Sequence, residues 1–293
     1  MKRLVSIILV IGIIASLAIV GLVACKDTRT GYPDGEKYSV GTGEYNIANV
    51  SKLNVTWTAG AAYITFTDEV TSVQISEENN LTEPDYQLHH YLDPDGTLWI
   101  KPLAATVLDD AIPSFSTKIL TLKLPKKALA EVAVEQHGAE LVLVGANAQK
   151  ITTYNTGYGT SIRESQAVDL SATSQGITGD VSFNGAVTGT VKISAAMQAF
   201  FTTTTMPTEI TMSGKGKVSC YIPESNPGFN VKYNSVTTFH SNFTLTDPVD
   251  TEDGLKARTF GSGQVAIKLS CSTRTWLFSD KTENITTISY LEA

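Results

Sequence analysis

Cysteine is nearly absent from this chain, with three residues in 293. One of them, Cys25, ends an N-terminal apolar run, so only Cys220 and Cys271 remain for the rest. That excludes the disulfide-dense scaffolds that stabilise small secreted domains. Charge is sparse too, at 17% of residues, where a soluble domain has about 25%. Basic charge is the scarcer kind. Lys2 and Arg3 belong to the N-terminal run, which leaves 20 basic and 29 acidic residues from Lys26 onward, a net charge of −9. An acidic chain without a basic stripe excludes nucleic acid as a partner. Hydrolase signatures are also missing, with no Gly-x-Ser-x-Gly elbow and no His-Glu-x-x-His pair. No stretch after residue 25 carries a helical stripe, although residues 126–132 have room for one turn.

Threonine, serine, glycine and valine fill the space left by charge. β-branched side chains lose rotamer freedom in helices and pack well on a pleated surface, so the composition points to strands. The N-terminus stands apart. Lys2 and Arg3 precede an apolar run over residues 4–24, interrupted only by Ser6, Gly12, Ser16 and Gly21. It ends in Leu22-Val23-Ala24-Cys25, which resembles a bacterial lipobox and implies lipidation at Cys25. A run of this length also crosses a bilayer as a helix, at ~1.5 Å per residue against a ~30 Å hydrocarbon core. An uncleaved signal anchor is therefore the other reading. Both keep Lys2 and Arg3 inside and place the rest outside, tethered to the cell membrane.

Residues 26–47, rich in Gly, Tyr and charge, read as a linker. Short alternating segments follow: Leu53–Trp57, Ala62–Phe66, Val70–Ile75, Leu98–Ile100 and Ile119–Pro125, with an Asp93-Pro94-Asp95-Gly96 turn among them. From Val132 a repeat emerges. The apolar pairs Val132/Val134, Ile151/Thr153, Leu170/Ala172, Val191/Ile193, Ile210/Met212 and Val231/Tyr233 begin 19, 19, 21, 19 and 21 residues apart. Gly138, Gly157, Gly176 and Gly216 follow four of these pairs at the same distance. A period of about 20 residues fits one coil of a single-stranded β-helix, in which each strand pairs with its counterpart one coil on. The glycine would turn a corner at positive φ. Thr152, Ser171, Lys192 and Thr211 would form an outward ladder. A β-sandwich of hairpins is the rival fold, but its strands keep no such phase. The predicted layout is a signal or anchor over 1–25, a linker over 26–47, a β-solenoid over 48–280 and a C-terminal tail over 281–293 that covers the end. Within the solenoid, Asp247–Lys256 is an acidic excursion and the segment after Gly261-Ser262-Gly263 is the last coil.

Leu122-Lys123-Leu124-Pro125, Tyr221-Ile222-Pro223-Glu224 with Gly228-Phe229-Asn230-Val231, and Gly261-Ser262-Gly263 leading into Val265-Ala266-Ile267 together resemble the bacterial putative-adhesin family of the DUF4097 type, over about residues 50–278. The Ser-Gly-Asp corner typical of that family is degraded here to His137-Gly138-Ala139 and Thr156-Gly157-Tyr158. The resemblance implies a β-helix facing the cell exterior and brings no catalytic residues with it.

Candidate chemistry is thin. His89 and His90 are strand neighbours pointing to opposite faces, which prevents them from clamping one metal, and they read as surface positions. His137 and His240 stand alone. Asp93 with Asp95, and Asp247, Asp250, Glu252 and Asp253, are acidic groups without the spacing of a calcium loop. Arg163 and Glu164 adjoin only once. Gly214-Lys215-Gly216-Lys217-Val218-Ser219 lacks phosphate-loop spacing and reads as a strand corner. Thr202–Thr205 offers a short threonine face. Cys220 and Cys271 are candidates for a disulfide if the 247–256 excursion lets them stack, and for two buried free thiols otherwise. The expectation is a non-enzymatic envelope protein with no catalytic residue, metal or cofactor. Its partners would be the membrane, through its N-terminus, and an envelope glycan or envelope protein. A carbohydrate-active enzyme on a β-helix and a self-assembling structural solenoid are the alternatives.

Overall fold

Alternating side chains give a strand one face to bury and one to expose, and this chain uses that alternation almost throughout. The computed structural model describes residues 32–107, 112, 117–235, 237–272, 274–275 and 282–290. The N-terminal apolar run and Cys25 lie outside the described residues. Among the described residues there is no α-helix, only 3-10 turns at Gly35–Lys37, Ile47–Asn49 and Pro84–Tyr86, and no helix long and apolar enough to cross a membrane. The strands form a 21-stranded sheet and a small two-stranded ribbon. The protein is all-β.

The large sheet contains two series of parallel pairings. Lys52–Thr67, Ala128–Val144 and Gly159–Ser174 each give one half to each series. The first series runs from Thr97–Lys101 through the starts of Lys52–Thr67 and Ala128–Val144, then Asn147–Asn155, the end of Gly159–Ser174, Thr190–Ala195 and Glu209–Lys215. The second runs from Lys118–Pro125 through the ends of Lys52–Thr67 and Ala128–Val144, the start of Gly159–Ser174, Asp180–Val187, Ala199–Thr203 and Lys217–Tyr221. Between residues 128 and 221 all pairings of described strands are parallel, which is not the pattern of a hairpin sandwich. Residues 126–132 hold no helical turn, because Ala128 already begins a strand.

In-register pairing turns the sequence repeat into rows. Val132, Ile151, Leu170, Val191 and Ile210 are successive partners at shifts of 19, 19, 21 and 19 residues. All five are buried. Thr152, Ser171, Lys192 and Thr211 form the adjacent outward row, as their alternation requires. In the second series Leu143, Ile162, Phe183, Phe201 and Cys220 are stacked partners, and the rings of Phe183 and Phe201 lie 5.3 Å apart. Each buried aliphatic side chain contributes ~1.5–3 kcal/mol. Two of the recurring glycines serve a different purpose from the predicted one. Gly138 and Gly216 have φ of 112° and 79°, which suits a corner. At Gly157 and Gly176 it is space that demands glycine. A Cβ at Gly176 would overlap the carbonyl of Gly157, and one at Gly157 would overlap Ala139.

The chain departs from sequential order beyond Glu209–Lys215. Its next neighbour is Val265–Ser272, and Gly228–Asn234 lies one place further out. Val231 and Tyr233 therefore join the buried rows, but opposite Ile267 and Leu269 rather than Ile210 and Met212. The second series repeats this: Ile285–Ser289 sits between Lys217–Tyr221 and Thr238–Ser241. The predicted tail is thus an inner strand and not a cover, since Ile288 and Thr286 are fully buried there. The acidic excursion instead forms the edge, with Leu255–Gly261 added antiparallel onto Gly228–Asn234 and Val249–Asp250 added antiparallel onto Leu255–Gly261. At the other end His89–Leu92 and Val73–Asn79 are antiparallel additions, and the segment read as linker reaches them: Ser39–Val40 pairs with His89–Leu92, and Gly43–Tyr45 with Val73–Asn79. The outermost strands of the first series, Ser39–Val40 and Val249–Asp250, are two residues each, and edges this short offer little ladder for a further strand to join.

Leu170→Ala should lower the free energy of unfolding by ~2–5 kcal/mol, while Ser171→Ala, one residue on and outward, should change it by less than ~0.5 kcal/mol. Urea denaturation followed by circular dichroism measures both. Equal effects would contradict the inward and outward assignment.

Candidate functional site

The Asp-Pro-Asp-Gly turn closes a hairpin in which Tyr91 pairs with Trp99. Trp99 in turn pairs with Asn54, and that row continues through Ala133, Thr152, Ser171, Lys192, Thr211, Lys268 and Lys232. None of these residues is buried as a whole, although the Thr152 hydroxyl oxygen is. A second outward row beside it is rich in hydroxyls, with Thr173, Ser194, Ser213 and Ser270 as successive partners.

The aromatic end of the row is a cleft of about 140 Å³ lined by Tyr32, Pro33, Asp34, Tyr38, Tyr91, Asp93, Trp99 and Lys101. The Tyr32 and Tyr38 rings meet edge-on at 4.7 Å, and Tyr38 lies 5.5 Å from Tyr91. The Tyr32 hydroxyl donates to the Leu103 carbonyl at 2.5 Å. Burial, reinforced by neighbouring phenols and carboxylates, raises the pKa of both Tyr32 and Tyr38, so both stay protonated donors. Trp99 Nε1 donates to Asp93 Oδ2 at 2.9 Å, and Thr97 N donates to Asp93 Oδ1 at 2.8 Å. Burial acts to raise the Asp93 pKa, but these hydrogen bonds outweigh it and the net shift is downward. Asp93 is therefore an ionised acceptor held in place by two donors. The Lys101 ammonium lies 5.5 Å from the Tyr32 ring and 5.6 Å from that of Trp99, and donates to Thr56 Oγ1 at 3.0 Å.

A second polar assembly is buried beneath the same end. Lys118 is fully buried, and its ammonium donates to Glu77 Oε2 at 2.8 Å and to the Tyr86 carbonyl at 2.6 Å. Glu77 Oε1 accepts from Leu88 N at 2.6 Å. The Trp57 ring lies 5.2 Å from Lys118 Nζ, and its indole donates to the Lys118 carbonyl at 3.1 Å. Burial lowers the Lys118 pKa, with Glu77 opposing. Neither assembly was named from sequence, though both left signals. Tyr91 and Trp99 flank the turn symmetrically, and Lys118 occupies the inward phase of Leu120, Leu122 and Leu124.

The residues singled out from sequence are scattered. His89 and His90 are buried rather than on the surface, because the segment 39–45 folds over them. His90 Nδ1 is 2.6 Å from the Tyr45 hydroxyl, and His89 Nδ1 is 2.9 Å from the Gln87 carbonyl. Burial lowers both histidine pKa values. His137 stacks edge-on against Tyr154 and contacts Glu135 at 3.0 Å. Cys220 and Cys271 are free buried thiols. They are not bonded because Cys220 pairs with Phe201 and Ile288 in one series while Cys271 pairs with Gly214 in the other. Burial raises both thiol pKa values. Asp250 and Asp253 meet lysines: Lys256 lies 3.7 Å from the first, and Lys232 and Lys268 lie 3.8 and 4.0 Å from the second. Among the described residues no group of three His, Cys, Asp or Glu side chains is placed to hold a metal. The Thr203 hydroxyl closes a turn by donating to the Thr205 carbonyl and accepting from Thr205 N, while the Thr205 hydroxyl donates to the Val187 carbonyl. A notch of about 390 Å³ includes Lys126, Lys127 and Glu164, but Lys126 pairs with Asp68 at 2.7 Å, and Lys127 donates to the carbonyls of Ile47, Ala48 and Val50.

No family model matches the chain, and no curated protein does. Two solved structures align with it. One is a putative cell adhesion protein from Clostridium sporogenes ATCC 15579, 11% identical at a TM-score of 0.34, with 87% of this chain and all of that one covered. The other is a putative adhesin from Bacteroides fragilis NCTC 9343, 14% identical at a TM-score of 0.38, with 86% and 97% covered.

Glu77→Ala should destabilise the fold by ~3–5 kcal/mol, because it strands a buried ammonium. The double variant Glu77→Leu/Lys118→Met should regain part of that loss, the remainder reflecting the Leu88 amide left without its acceptor. A double variant no better than Glu77→Ala would contradict the ion-pair account. The histidines add a pH dependence. A histidine whose folded pKa lies below its unfolded value gains a proton on unfolding, so its contribution is complete above about pH 6.5 and shrinks as pH falls toward the folded value. Urea midpoints should fall across that window, and less steeply in His90→Gln.

Proposed function

We propose that the chain is a non-enzymatic module of the bacterial cell envelope, allied to the DUF4097-type adhesins, that holds an envelope glycan along one face of a β-solenoid. Its N-terminal run would fix it to the membrane on the outer side, by a lipid on Cys25 or as a signal anchor. The observation that carries the reading is the outward row that begins at Tyr91 and Trp99 and continues in register to Lys232. Successive strands lie ~4.8 Å apart, so the face offers its groups at a fixed interval. A linear polymer with repeating units fits such a spacing better than a globular partner does.

The cleft chemistry favours a neutral ring. A pyranose has apolar C–H faces that rest on the negative face of an aromatic ring, and a rim of hydroxyls that need donors and acceptors. Trp99, Tyr38 and Tyr91 supply faces, the Tyr38 phenol supplies a donor and Asp93 an acceptor. A cationic ligand is disfavoured because the Lys101 ammonium, 5.5 Å from the Tyr32 ring and 5.6 Å from that of Trp99, would repel it. Asp93 is held ionised by its hydrogen bonds, which suits an acceptor and not a general acid.

Retention of the purified chain on insoluble envelope polysaccharide tests the reading. Wild type should be retained, and Trp99→Ala should weaken apparent affinity at least about tenfold, or ~1.4 kcal/mol, with an unchanged far-ultraviolet spectrum. An unretained wild-type chain, or a Trp99→Ala chain retained equally, would overturn it.

A further inference from the structure

The strand order at the far end of the sheet carries one more conclusion. Val265–Ser272 lies between Glu209–Lys215 and Gly228–Asn234, parallel to both. Ile285–Ser289 lies between Lys217–Tyr221 and Thr238–Ser241, again parallel to both. Both walls of this slot come from residues 209–241, so the slot is complete before its occupant is synthesised. From Leu255–Gly261 at the sheet edge, the chain must pass over Gly228–Asn234 to enter it. It does so through Gly261-Ser262-Gly263, whose two glycines have φ of 59° and 67°.

We infer that these two C-terminal strands are an exchangeable insert, and that two copies of this chain trade them to form a closed dimer in which each fills the slot of the other. Three observations support the exchange. The slot recognises its occupant through main-chain ladders on both sides and through buried Ile267, Leu269 and Ile288, and none of these contacts depends on which copy supplies the strands. The connection is short and hinged on glycine, where a strand that jumps a neighbour is poised to run to a second molecule instead. The slot walls also match each other. Val231 stands 21 residues from Ile210, the same shift that relates Val191 to Leu170, so direct pairing of the walls would keep the inward phase. A chain whose own insert is withdrawn thus retains a folded alternative, which lowers the barrier to exchange. Reciprocal exchange fills both slots and stops at two copies.

Ser213 and Ser270 are register partners across the slot boundary, both outward. In a Cys25→Ser background, Ser213→Cys and Ser270→Cys chains carrying different tags are mixed, unfolded in reductant and refolded together over a range of concentrations. A short bismaleimide is then added. Exchange gives a cross-link joining one chain of each kind, with a yield that rises with concentration and falls when either variant is refolded alone. It also gives a species of twice the monomer mass by light scattering. The chain carrying both Ser213→Cys and Ser270→Cys, cross-linked within itself as a folded monomer, should fail to dimerise. A mixture that stays monomeric and cross-links only in the doubly substituted chain would overturn the inference.

Discussion

Parallel, in-register backbone pairing is the constraint on which everything else depends. Once residue 151 lies beside 132 and 170 beside 151, every position in the repeat inherits the environment of its counterpart. Inward rows are largely apolar, since a lone polar residue meets apolar neighbours above and below, as Thr153 does between Val134 and Ala172. Where inward residues are polar in number they share a row, as buried Gln136, Asn155 and Ser174 do. Outward rows are free to be threonine, serine or lysine. The low charge and high β-branched content of the sequence follow from this arithmetic. So do Gly157 and Gly176, where the backbone of one level approaches the next too closely for a Cβ.

A ladder of this kind has two weak points, its ends, and the molecule treats them differently. At the first end, antiparallel strands and the segment 39–45 cover the edge. The covering creates interior space that is filled with polar groups: Lys118 with Glu77, and the two histidines. It also gathers the aromatic cleft, because Tyr32 and Tyr38 arrive from the covering segment while Tyr91 and Trp99 come from the hairpin. At the other end, the acidic excursion forms the edge and places Asp253 near Lys232 and Lys268.

The repeated centre was legible in the sequence because its signal is local and periodic. The pairs from Val132 to Met212 and the outward residues Thr152 to Thr211 stand where their phase put them. The ends were not legible, for physical reasons. Phase shows which side of a strand faces inward but not which strand is its neighbour, so Val231 and Ile267 look equally suited to follow Ile210. The burial of His89 and His90 depends on a segment more than forty residues away whose Gly, Tyr and charge read as linker. Lys118 broke an alternating strand at an inward position, a local conflict that only the distant Glu77 resolves. The cleft combines residues from two such distant segments, and only the hairpin half was visible beforehand.

Distances along the outward row test the central claim most directly. Spin labels at Asn54 paired with Ser171, Thr211 or Lys232 lie three, five and seven strands apart. At ~4.8 Å per strand, pulsed dipolar measurements should give separations near roughly 14, 24 and 34 Å, growing in proportion to strand number. Separations that fail to grow in that order would contradict in-register stacking. A Lys232 distance one strand short would contradict the inserted C-terminal strands.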